Sequence, residues 1–222
     1  WDYLDRVVSE ERIAAGREQL ALHATLLGTI EATYGVDRHI VVAIWGLESG
    51  YGQSMGSRSV VRSLATLAYA GGRRASYGRA QLLAALKILK ARDVAPEAMR
   101  GSWAGAVGHT QFIPTTFLEH AVDFDRDGRR DLWGSLGDAL ASTARYLARS
   151  GWEAGAAWGT QVRLPPGFDY ALAGLHAKLA FAQWQALGIA REDGDPFPAP
   201  DRPMSLILPA GASGPAFLVS AN

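Results

Sequence analysis

The sequence predicts a mainly α-helical protein with a small β element late in the chain. Three observations carry this. Apolar residues recur at helical spacing through most of the first 150 positions. Strand-like stretches are confined to the region after residue 160. Prolines gather late, with four between Asp193 and Pro203, in a stretch that reads as a loop or linker.

From Leu4 to Tyr34 the apolar spacing (Val7, Val8, Ile13, Leu20, Leu26, Leu27, Ile30) predicts one long helix, or two with a break near Gly16. Gly35 is a helix stop and Asp37 an N-cap for a helix from Arg38 to about Ser49. That helix is apolar nearly all round, which predicts burial in a core. Helical patterns return at Val60–Ala70, Tyr77–Arg92, Thr115–Val122, Gly137–Ser150 and Asp169–Leu187, the last stopped by Gly188. Ala91 to Pro114 is rich in Gly and polar residues and reads as structured loop with short helices. Gln161–Leu164, Met204–Leu208 and Ala216–Ser220 are the expected strands. There is no internal repeat and no low-complexity tract.

The bulk chemistry narrows the function. A 222-residue chain that is 48% hydrophobic can bury a core without staples. It has no cysteine, so disulfides, thiolate metal sites and cysteine nucleophiles are out. Basic and acidic residues balance at 22 each, which gives no electrostatic reason to bind nucleic acid or an anionic membrane. No apolar run reaches the ~18 residues of a membrane span. The opening Trp1–Asp5 lacks the regions of a signal peptide, so any export signal is expected to lie outside this sequence.

Three stretches carry candidate chemistry. Glu48 ends the most apolar helix, in Trp45-Gly46-Leu47-Glu48-Ser49-Gly50-Tyr51-Gly52. Packing beside Trp45 and Leu47 would desolvate its carboxyl and keep it protonated, as a glycosidase acid requires. The competing reading is a helix-end glutamate pointing to solvent. In Gly101–Thr116, small residues leave room for sugar rings, Trp103 and Phe112 offer ring faces, and Ser102 and Gln111 offer hydrogen bonds. It reads equally as a tight loop with Pro114 opening a helix. Finally, Asp123, Asp125, Asp127, Gly128 and Asp131 match positions 1, 3, 5, 6 and 9 of a calcium loop. Gly134 stands where the closing Glu belongs, and Asp138 follows four residues later; a charged Asp/Arg turn is the alternative. The five histidines show no metal-ligand spacing, and His109 stands apart only by its closeness to Gln111. No serine-hydrolase elbow or P-loop is present.

Taken in order, Glu48-Ser49-x-x-Gly52, Gly105-Ala106-x-Gly108-x-x-Gln111-Phe112-x-Pro114 and Ala121-Val122-Asp123-Phe124-x-x-Asp127-Gly128 resemble the lytic murein transglycosylases of the B type (glycoside hydrolase family 103). The resemblance covers almost the whole chain. It implies a lysozyme-like α domain with an additional helical lobe and a small β element near the C-terminus. Residues 37–149 would form the lysozyme-like core, and 1–36 with 150–222 an accessory part.

The implied reaction is non-hydrolytic cleavage of the β-1,4 bond between N-acetylmuramic acid and N-acetylglucosamine, leaving a 1,6-anhydro end. Glu48 matches the single acid/base. Ser49, Ser102, Trp103, Gln111, Phe112 and Tyr146 match or flank glycan-binding positions. Asp123, Asp125, Asp127, the Arg129 carbonyl and Asp138 match a metal loop for a structural calcium ion, while no cofactor is required for the chemistry.

The resemblance further implies a monomer acting on peptidoglycan strands, without nucleic acid. It places the protein in the periplasm, in association with the outer membrane through a lipid anchor outside this sequence. It also implies a continuation past Asn222 that completes the cleft. The rival readings are a hydrolytic muramidase of goose-lysozyme type, a non-catalytic glycan-binding module, and an EF-hand sensor, which a single loop makes a poor fit.

Overall fold

The structure, a computed structural model, describes residues 7–197 and 201–220. The expected helix start at Leu4 and two of the late prolines, Pro198 and Pro200, lie outside these residues. The chain forms two compact units, Trp1–Arg149 and Ser150–Asn222. Helices expected within 1–36 therefore group with 37–149 and not with 150–222.

The first unit contains α1 (Glu10–Leu22), α2 (Ala24–Tyr34), α3 (Arg38–Ser49), β1 (Arg58–Ser59), α4 (Val60–Tyr69), α5 (Ala75–Ala91), β2 (Arg100–Gly101), α6 (Pro114–His120) and α7 (Leu136–Arg149). α1 packs on α3 and α2 on α7, which is why the leading helices belong here. The first two helices divide at His23, not at Gly16. Gly16 stays helical and buried because Tyr51 presses on it: a Cβ there would sit 2.6 Å from the Tyr51 hydroxyl. That hydroxyl donates to the Arg12 carbonyl (2.9 Å), tying α1 to the end of α3.

Helix α3 has the expected ends. The Asp37 carboxylate accepts the His39 N–H, and Gly50 closes the helix in the left-handed region. It is not buried all round. Val41, Val42, Trp45 and Ser49 face inward, whereas Ala43, Leu47 and Glu48 are exposed. α4 packs on α5 and α5 on α6. Val60, Leu64, Ile88, Met99, Phe117 and Leu132 are all but sealed in the core they share. Between Ala91 and Pro114, residues 92–113 contain no helix. A short antiparallel pairing of β1 with β2 and the bridge Val107↔Phe112 shape this stretch instead.

The second unit is an antiparallel sheet in the order β4-β6-β7-β3-β5, built from β3 (Gly159–Arg163), β4 (Leu179–Ala180), β5 (Ala190–Arg191), β6 (Pro203–Ile207) and β7 (Ala216–Val219). The three expected strands are its centre. The helix expected over Asp169–Leu187 is present only as α8 (Phe181–Ala186), preceded by one 3-10 turn at Tyr170–Leu172. Strand pairing overrides helix propensity here: Ala173 bridges Leu206 and Leu179 pairs with Met204. Gly174 also takes φ +130, outside any helix. Trp184 is fully buried on the sheet and donates its indole N–H to the Met204 carbonyl (3.0 Å).

Candidate active site

Glu48 lies one turn after Ile44 on the face of α3 that opens onto a cavity of about 340 Å³. The facing loop contributes Thr110, Gln111, Phe112 and Ile113; α6 contributes Thr116; and α7 contributes Thr143, Tyr146 and Leu147. Among the described residues, Glu48 is the only carboxylate lining it. Burial against these groups raises its carboxyl above the ordinary value, and no other influence contributes. Among the described residues no cation or backbone N–H meets this carboxylate. The desolvating groups are not the sequence neighbours first expected. Trp45 turns inward against Tyr51 and His109, with ring centroids 5.5 and 5.7 Å away. Leu47 is 53% exposed and lines a different, apolar groove between α1 and α3. Among the described residues, that groove offers Arg12, Arg17 and His39 as charged or titratable groups besides the Tyr51 phenol.

Gln111 adopts φ +51. Its amide N–H₂ donates to the carbonyls of Met55 (3.1 Å) and Gly108 (2.9 Å), so its side-chain oxygen is the acceptor it can offer the cavity. Phe112 is buried and meets the Tyr146 ring edge-on at 6.0 Å; His120 supports the same tyrosine at 5.0 Å. The Thr110 hydroxyl is buried with no hydrogen-bond partner.

Three expected contacts point elsewhere. Ser49 is buried and donates to the His109 carbonyl (2.5 Å) while accepting the Gly52 N–H (2.9 Å), so it clamps the helix end instead of lining the cavity. The Ser102 hydroxyl accepts the Ala106 N–H (3.0 Å) and closes its own turn. Trp103 is exposed outside the cavity, beneath the Arg74 guanidinium at 4.9 Å. Sequence reasoning missed Ile44, Thr110, Ile113, Thr116, Thr143 and Leu147. Helical spacing could have found Ile44 from Glu48, Thr143 from Tyr146, and Leu147 from Thr143.

In the acidic loop, carboxylate oxygens of Asp123, Asp125 and Asp138 lie within 4.8 Å of one another. Asp138, fully buried at the start of α7, accepts N–H groups from Phe124 (2.7 Å), Asp125 (3.3 Å) and Asp131 (2.8 Å). It therefore closes the loop from the next helix, as its spacing suggested. Asp127 departs from the expected set: its carboxylate pairs with the Arg129 guanidinium (2.9 Å). Arg130, bound to the buried Asp93 at 2.6 Å, pins the loop beyond the end of α5. Three converging hard oxygen donors, with the nearby Arg129 already paired, fit a calcium-type cation.

This is a mainly α, lysozyme-like domain with a partly desolvated glutamate, Glu48, at the edge of a cleft. The chain belongs to the Transglycosylase SLT domain family, which it matches over residues 1–222. It is 35% identical over 161 residues to the membrane-bound lytic murein transglycosylase B of Escherichia coli (strain K12), covering 70% of this chain and 42% of that protein. Its fold is similar to Pseudomonas aeruginosa SltB3 in complex with NAG-anhNAM-pentapeptide, with TM-score 0.91, 56% identity, and coverage of 100% of this chain and 59% of that one. It is also similar to the Escherichia coli lytic transglycosylase Slt35 in complex with calcium, with TM-score 0.84, 27% identity, and coverage of 99% and 69%. The chain thus spans less than two thirds of the length of the transglycosylase B and SltB3 relatives.

Proposed function

We propose that this chain is the catalytic part of a peptidoglycan lytic transglycosylase with Glu48 as its acid and base. The observation that carries the reading is the isolation of Glu48: a single carboxyl, raised by desolvation alone, with no second carboxylate in its cavity. Among the described residues, the usual two-carboxylate route of hydrolysis finds no partner group in this cavity. In the proposed reaction the Glu48 carboxyl protonates the glycosidic oxygen, and the bond to C1 of N-acetylmuramic acid breaks. The substrate's N-acetyl oxygen holds C1. The Glu48 carboxylate then takes the C6 hydroxyl proton as that oxygen attacks C1, which closes the 1,6-anhydro ring and restores the acid. No cofactor is consumed. Gln111, Phe112 and Tyr146 line the place where the sugars would lie; Ser49, Ser102 and Trp103 support it at a distance.

Asp123, Asp125 and Asp138, completed by the Arg129 carbonyl, would hold a calcium ion that braces the loop joining α6 to α7. The calcium bound by the similar Slt35 supports this. The balanced charge suits a neutral glycan strand in place of nucleic acid. Action as a monomer in the periplasm, at the outer membrane through an anchor, is consistent with the membrane-bound relative. No helix among the described residues is long and apolar enough to cross a membrane.

Mass spectrometry of digested peptidoglycan tests the reading. Anhydro products, lighter than hydrolysed ones by one water, are expected from the unaltered chain and none from Glu48→Gln. Reducing-end products would make it a muramidase. Unchanged turnover by Glu48→Gln would end the assignment of the acid.

A further inference from the structure

We infer that His109, held in one neutral tautomer by Trp45, is the residue that positions Glu48 against the Gln111–Phe112 loop. The inference rests on the reading of Glu48 as the acid. Trp45 and Ser49 flank Glu48 on α3, three residues before and one after, and both are bound to His109. The Trp45 indole N–H donates to His109 Nδ1 (3.1 Å). An indole can only donate, so Nδ1 must be unprotonated and the ring's hydrogen must sit on Nε2. Nε2 is then the ring's donor, and the Trp133 backbone also meets the ring. The Ser49 hydroxyl donates to the His109 carbonyl, and the His109 N–H donates to the Leu132 carbonyl (3.0 Å).

One residue thus joins the last turn of the acid's helix, the loop facing it, and the end of the acidic loop. The fit is tight: a Cβ on Gly52 would lie 2.6 Å from the imidazole. Burial holds the ring neutral against the opposing pull of Asp131. The ring bonds Trp45 on the acid's helix while the backbone of the same residue bonds Ser49 and Leu132, so loss of the ring frees the helix end from the facing loop without altering the groove-lining side chains. His109 does not line the cavity and touches no reacting atom; it acts through Trp45 and Ser49.

The test compares His109→Leu, which removes the acceptor, with His109→Asn, whose side-chain oxygen falls near Nδ1, and with Trp45→Phe and the double variant Trp45→Phe/His109→Leu. On purified peptidoglycan, kcat is expected to fall about ten- to a hundredfold in His109→Leu and in Trp45→Phe, because misplacement of a catalytic group is costly. KM is expected to stay within about twofold of its value in the unaltered chain, since the groove itself is intact. The double variant should be no slower than the worse single, and His109→Asn should recover most of the rate. Losses that multiply in the double variant, equal losses in Asn and Leu, or full activity in Leu would each overturn the inference.

Two readouts do not need turnover. Nitrogen NMR should find the Nε2–H tautomer, with an Nδ1 signal that moves in Trp45→Phe. Carbon NMR should find the Glu48 carboxyl titrating closer to its ordinary range in His109→Leu. If peptidoglycan is not cut at all, the proposed activity fails, and these two measurements still decide the role of His109.

Discussion

Gly50 and Gly52 follow the acid's helix two residues apart, both with positive φ, at +58 and +84. An alanine at either must take a left-handed backbone, which costs roughly 1–2 kcal/mol. The two sites differ in what the added methyl meets. At Gly50 nothing lies within 4 Å; at Gly52 two atoms of the His109 ring lie at 2.6 Å. That ring is fixed by its bonds to Trp45 and the Trp133 backbone, so it cannot swing away freely. Overpacking of this kind adds ~1–3 kcal/mol. For a chain of this length each kcal/mol lowers Tm by about 2–4 °C. Gly50→Ala should therefore lose about 2–8 °C, and Gly52→Ala about 2–12 °C beyond that. Differential scanning calorimetry of the two variants side by side measures the difference. Equal losses would refute the claim that His109 is locked against Gly52, because the backbone cost is common to both.

Three further outcomes are expected. Thr110→Val exchanges a buried, unpartnered hydroxyl for a methyl, so thermal unfolding should show an equal or higher Tm, while KM for glycan rises if that hydroxyl bonds a sugar; a clear fall in Tm would contradict the lack of a partner. Calcium at a hundred times its Kd should add ~2.7 kcal/mol of stability, seen as a Tm shift that chelator and Asp125→Asn abolish. Asp127→Ala should keep most of that shift because its carboxylate is turned to Arg129; a complete loss would place Asp127 among the ligands. The third outcome concerns pH. Burial depresses the imidazoles of His109, which faces Asp131, and of His120, which faces Glu119, Arg145 and Arg149. Between their lowered values and the ordinary ~6.5 the unfolded chain binds more protons than the folded one. Their stabilisation is therefore full above ~6.5 and lost as pH falls toward the folded values; Glu48, raised, acts in the opposite sense. The urea midpoint should drop between neutral and mildly acidic pH, less so in His109→Leu, and a midpoint that rises would reverse the sign argued here.

Local signals placed the helices of the first unit well, because each is written within a few residues. Asp37 and Gly50 bound α3 as expected, and Pro114 opens α6. The break between α1 and α2 was misplaced because Gly16 looks like a breaker in sequence, yet is a packing glycine for a tyrosine 35 positions later. In the second unit the alanine-rich 169–187 region reads as helix, but its partners on β6 are distant in sequence and turn half of it into sheet edge. The site shows the same division. Glu48 and Tyr146 could be placed from helical spacing. The aim of Ser49, Ser102 and Trp103 could not, since each follows from a hydrogen bond or ring contact with a group set by the loop path. Asp127 shows a related division: spacing groups it with the metal loop, whereas its carboxylate pairs with the arginine two residues on.

The two acidic centres of the first unit differ in the way expected if Glu48 transfers a proton and Asp138 helps to hold a cation. Burial raises both Glu48 and Asp138. At Asp138 three backbone N–H groups oppose that effect by bonding the ionised form, and Asp123 and Asp125 stand beside it. Asp125 adds to the rise, so a cation beside these carboxylates would offset their mutual repulsion. At Glu48 nothing opposes desolvation. Desolvation favours the protonated form there without a partner that fixes the proton, which is what the proposed acid and base roles would require. A lone acid that must act in both directions needs this absence of partners. It follows that the groups fixing its position have to work on the helix backbone and its flanking residues, not on the carboxyl itself, and Trp45, Ser49 and His109 occupy those places.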